Sequence, residues 1–148
     1  MGKYRAFPLL AAVALTLSGC VTLVSNYDEK IDDMATGLQR EISMEIETLS
    51  SQDKPDCLYP NHAAFYINAR TDVSALAVRA SAHELNSQTI RQIEDLRGAL
   101  DDLEKLHQIA TRADRCMRPE EFSDISRGFD QIAGAIIRLE LAKKRGRP

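Results

Sequence analysis

The sequence predicts an all-α fold: an antiparallel up-down-up-down four-helix bundle with one interloop disulfide, following a cleaved signal peptide. Three observations carry this. Apolar residues recur at steps of three and four in four successive segments, and no segment shows the alternation of a strand. Short breaks that hold Pro, Asn or Ser separate those segments. The first and third breaks each hold one cysteine, Cys57 and Cys116, and helices joined by short loops run antiparallel, which brings these two breaks to the same end.

The first five residues carry Lys3 and Arg5 and no acid, and residues 6 to 17, AFPLLAAVALTL, are apolar apart from Thr16. A positive segment followed by about a dozen apolar residues is the pattern of a secretory signal peptide. A bilayer-spanning helix takes roughly 20 apolar residues, and this run is shorter. Residues 1–19 are therefore assigned to a signal peptide, 20–26 to an N-terminal tether and 27–148 to a helical domain.

In the first helix, Tyr27, Ile31, Met34, Leu38, Ile42, Ile46 and Leu49 form one stripe. Ser25 or Asn26 is the expected cap, with Asp28 and Glu29 suiting the positive helix end. The second helix is expected from Asn61, as cap after Pro60, to about His83, with Phe65, Ala69, Val73, Leu76 and Ala80 inward. HELNS, residues 83–87, breaks it. Ser87 opens the third helix, with Ile90, Ile93, Leu96, Leu100, Leu103, Leu106 and Ala110 on one face. Pro119 followed by Glu120 and Glu121 marks the start of the fourth. Its stripe is Phe122, Ile125, Phe129, Ile132, Ile136 and Leu139.

The apolar run ends in Leu17-Ser18-Gly19-Cys20, and this closely resembles the lipobox of bacterial lipoproteins. The resemblance implies cleavage before Cys20 and diacylation of its thiol, a membrane anchor. Each buried CH₂ contributes about 0.8 kcal/mol, and two or more acyl chains hold firmly where one does not. In that family an Asp directly after the cysteine favours inner-membrane retention. Val21 stands there instead, which implies the outer membrane, facing the periplasm. An oxidising compartment permits disulfides, and with Cys20 lipidated only Cys57 and Cys116 remain to pair.

Removing the signal leaves a net charge of −5, which excludes a strongly basic nucleic-acid binder. Residues 27 to 53 hold eight acids against Lys30 and Arg40, whereas the tail from Arg138 holds five bases against Glu140. One account pairs Lys143, Lys144 and Arg145 with Asp28, Glu29, Asp32 and Asp33 across adjacent helix ends. The other lets Lys143, Lys144, Arg145 and Arg147 contact anionic head groups or wall polymer.

No catalytic constellation is evident, no cofactor is expected, and the chain is not expected to be an enzyme. His83-Glu84-Leu85-Asn86-Ser87 lacks the second histidine of HExxH. Asp28, Asp32 and Asp33 with Asp101, Asp102 and Glu104 fall mostly between apolar positions, and Glu104 and His107 have no second Glu-x-x-His pair. The segment LYPNHAAFYINAR concentrates Leu58, Tyr59, Phe65 and Tyr66. Tyr59 and Tyr66 are the candidate partner surface, because aromatics with a polar tip are enriched at interfaces.

Beyond the lipobox, VTLVSNYD and the helical body look like small lipoproteins of Gram-negative bacteria. In architecture the chain is similar to secretin pilotins, lipidated helical domains with a disulfide that escort an outer-membrane channel subunit. That likeness rests on lipobox, size, helices and cysteine count, and architecture alone does not carry function. The expected function is a membrane-anchored periplasmic interaction or escort module for another envelope protein. The alternative is a lipoprotein that binds a small ligand or a metal.

Overall fold

A computed structural model describes residues 25–146. The signal peptide, Cys20, Val21 and Arg147 lie outside the described residues. Four helices follow one another: α1 Glu29–Ser51, α2 Tyr59–Ser81, α3 Ser87–Arg112 and α4 Pro119–Arg145. At 1.5 Å per residue each is roughly 35–40 Å long. The packed pairs are α1–α2, α2–α3, α3–α4 and α4–α1, with no diagonal pair, so the helices form a closed square. Among the described residues there is no strand, and no helix is long and apolar enough to cross a membrane.

The interior is the sum of four inward stripes: Ile31, Leu38 and Ile42 from α1, Tyr66, Val73 and Leu76 from α2, Leu96, Leu100 and Leu103 from α3, Phe129 and Ile136 from α4. The α1–α2 and α3–α4 connections lie at one end, where Cys57 and Cys116 form the disulfide with Cα atoms 5.5 Å apart. The other end holds Ser25–Asp28, the α2–α3 connection and the C-terminal turn of α4.

Helix starts differ from expectation for local reasons. Asp28, not Ser25 or Asn26, caps α1, its carboxylate accepting from the Lys30 amide at 2.8 Å. The second helix begins at Tyr59, two residues early, with Pro60 in its first turn. Asn61 is therefore helical, and its amide donates back to the Pro55 carbonyl at 2.9 Å. Pro119 opens α4 as expected, and Glu121 accepts from the Arg118 backbone N–H at 2.6 Å. That bond and the Arg115 and Arg118 guanidiniums outweigh the effect of burial and hold the Glu121 carboxyl at about 2.

Candidate functional site

Three arrangements stand out: a polar cluster at each end of the bundle and a groove along its side. At the end where the chain enters, Lys143 points into the bundle. Its Nζ donates to Asn86 Oδ1 at 2.7 Å, Thr89 Oγ1 at 2.9 Å and Glu140 Oε1 at 2.5 Å. Thr89 in turn donates to Glu140 at 3.1 Å, and the Asp28 backbone N–H to the other Glu140 oxygen at 3.4 Å. Ser25 is bound twice, through Oγ to Asn86 at 2.9 Å and through its N–H to the Leu85 carbonyl at 3.2 Å. Asp28 accepts from Arg79 at 2.9 and 3.1 Å and bonds His83 Nε2 at 2.6 Å. Burial alone would raise the Asp28 carboxyl. The bonds from Arg79, the Lys30 amide and His83 more than offset it and hold it at about 2.

At the disulfide end the cluster is aromatic. His107 Nε2 faces the Cys57 carbonyl at 2.8 Å, and Nδ1 accepts from the Tyr66 hydroxyl at 2.9 Å. A carbonyl only accepts, so this is the neutral Nε2–H tautomer. Burial first, and then nearby His62, push His107 below the ordinary histidine value, while burial pushes Tyr66 up. His62 Nε2 faces the Asp56 carbonyl at 2.8 Å, which makes it a donor, and Nδ1 lies 2.5 Å from Glu45 Oε1. On the flank, Arg70 clasps Asp101 at 3.0 Å and Glu104 at 2.6 Å, and the Tyr59 hydroxyl donates to Glu104 at 2.7 Å. Among the described residues the one buried side-chain oxygen without a partner is Gln52 Oε1.

The groove runs between α1 and α2. Met34, Gly37, Leu38, Arg40, Glu41, Met44 and Asp72 line a concavity of about 460 Å³. A second of about 270 Å³ continues it past Gly37 and Arg40 to Asp32, Asp33 and Thr36. Met44 is 64% exposed, and Gly37 leaves the wall open, with nothing within 4 Å of an added Cβ. Burial, with Asp72 and Glu45 close by, raises the Glu41 carboxyl. The groove is thus apolar along its floor and acidic along its rim, with Arg40 as its one basic lining residue.

Several candidate residues stand elsewhere than expected. Tyr66 is 0% exposed and offers no surface to a partner; its ring packs against Tyr59 at 5.6 Å. Tyr59 is half-buried, with its hydroxyl committed to Glu104. Lys143 is buried and bound to Glu140, so it does not face an anionic surface and does not answer the acids of α1. Lys144 and Arg145 are exposed, and the Lys144 ammonium lies 5.1 Å from the Tyr27 ring centroid. The inward line at the end of α4 runs through Ala133, Ile136, Glu140 and Lys143, leaving Ile132 and Leu139 half-buried. In α3, Thr89 and His107 take inner positions, while Ile90 is half-buried and Leu106 exposed.

Among the described residues no group of three or more His, Cys, Asp or Glu is placed to hold a metal ion. Comparisons with protein-family models, with curated proteins and with solved structures find no match.

Proposed function

We propose that this chain is a lipid-anchored, non-enzymatic interaction or escort module of the cell envelope, held by Cys20 in the outer membrane and facing the periplasm. The observation that carries the docking part of this reading is the α1–α2 groove. Methionine adapts its shape to varied apolar partners, and the Glu41 and Asp72 carboxylates favour a partner segment that carries bases beside its apolar residues. Its occupant would be a segment of another envelope protein, an apolar side chain seated by Met34 and Met44 and a cation against Glu41 and Asp72.

The test uses a photo-cross-linking residue at Met44 in cells, with the same residue at exposed Gln131 on α4 as reference. One partner captured from Met44 and not from Gln131, and lost with Glu41→Lys, supports the reading. Equal capture from both faces sinks the groove as the docking site. In parallel, Cys20→Ala is expected to move the protein from the membrane to the soluble fraction. Retention of the variant in the membrane would remove the lipid anchor from the account.

A further inference from the structure

We infer that the Leu85 tip of the α2–α3 loop seats in the membrane interface, so that the bundle stands with this end down and its disulfide end outward. The inference rests on the anchoring of Cys20 proposed above. Cys20 precedes Ser25 by five residues, and five residues span at most about 18 Å. Ser25 is not free to drift, because its N–H and hydroxyl are bonded to Leu85 and Asn86 of the loop. An acylated Cys20 therefore keeps Leu85 near the head groups, while the disulfide end lies a helix length, roughly 35–40 Å, further along the bundle.

The chemistry of the tip fits that place. Leu85 is 56% exposed and held at φ 60°, a left-handed conformation that a leucine adopts at a cost. Its side chain is not part of the buried core. Val78, at 71% exposure, and exposed Ala82 continue the apolar line up α2. Tyr27, Lys144 and Arg145 stand at the same end, an aromatic and bases of the kind that settle at a membrane–water boundary. Glu29, Asp33 and Glu84 are exposed there too, so the end is not a basic patch. Apolar contact by Leu85, rather than net charge, does the seating.

The chain contains no tryptophan, so Leu85→Trp introduces a single reporter at a position that tolerates a large exposed side chain. Asp53→Trp, in the exposed loop beside the disulfide, is the matching reporter at the far end. Each lipidated full-length variant is reconstituted into phosphatidylethanolamine–phosphatidylglycerol vesicles, with and without lipid brominated near the top of the acyl chain, and isolated by flotation. The expected result is blue-shifted, quenched emission from Leu85→Trp and unquenched emission from Asp53→Trp. Leu85→Trp protein that floats but is not quenched overturns the seated tip while leaving the anchor intact. Equal quenching of both reporters overturns the upright orientation. Protein that does not float overturns the anchoring reading and this inference with it. Because both variants are exposed loop substitutions, unchanged helical circular dichroism is expected before reconstitution.

Discussion

The two ends of the bundle are closed by different physics. The disulfide end is fastened by a covalent bond and by a neutral His107 between Tyr66 and the Cys57 carbonyl. Among the described residues the entry end has no covalent closure. It is held by charge: Glu140 and Lys143 at 0% and 3% exposure, and Asp28 under Arg79 and His83. A charged closure is strict about its partners, because each removed member leaves the others buried and unpaired. It therefore fixes where Ser25 and Asp28 leave the bundle. The disulfide bond itself is vulnerable to reductant, whereas the ion pairs of the entry end are not.

The comparison breaks first at Lys143. Lys143→Met strands Glu140 and should cost about 3–5 kcal/mol, the range for an unpaired buried charge. Urea unfolding followed by helical circular dichroism reads it. The double change Glu140→Met with Lys143→Met should recover most of that loss, since apolar residues of similar volume often replace a buried pair without penalty. A single variant that costs under about 1 kcal/mol, the value of an exposed pair, would mean that Lys143 does not close this end.

Reducing the disulfide comes next. The bridge spans 59 residues, and removing such a cross-link typically costs about 2–4 kcal/mol. The sharper readout is local. Amide exchange should accelerate in residues 52–58 and 113–118 while residues 82–86 stay protected. Equal loosening at both ends would show that the closures are not independent.

The same contrast explains what could be read from the sequence. Helix number, order and type were legible because Ile31–Leu38–Ile42 or Leu96–Leu100–Leu103 carry their burial in their hydropathy. The disulfide was legible once antiparallel helices put two cysteine loops together. The polar interior was not, because Thr89, His107, Glu140 and Lys143 look like surface residues by type. Their signal is positional. His107 lies four residues after Leu103 and three before Ala110; Glu140 lies four after Ile136, and Lys143 three further on. Extending each apolar stripe at its own step, without regard to polarity, finds all of these. The Tyr59–Tyr66 pair misled for the opposite reason: an aromatic with a polar tip suits an interface, but Tyr66 finds its polar partner inside, on His107. The groove left no sequence signal beyond the acidity of α1, because Asp72 comes from a different helix.

Acid should separate Asp28 from His107 by the pH at which stability is lost. Asp28 has a folded value of about 2 against an ordinary 3.8. A depressed carboxyl stabilises fully above the unfolded value and loses that contribution as pH falls from about 4 towards 2, here roughly 2 kcal/mol. His107 acts earlier. Its folded value is depressed below 6.5, so the unfolded chain takes up a proton first, and stability falls as pH drops below about 6.5. Urea midpoints measured across that range should thus decline in two stages. His107→Gln, which can still donate to the Cys57 carbonyl, should remove the upper stage and leave the lower one. Asp28→Asn should remove only the Asp28 share of the decline below about pH 4, at the cost of weaker binding to Arg79, and leave the share of Glu121, which is also held at about 2. If Asp28→Asn instead abolished the upper stage, the two ends would share one titrating network through the core, and their separation into a charged and a covalent closure would fail.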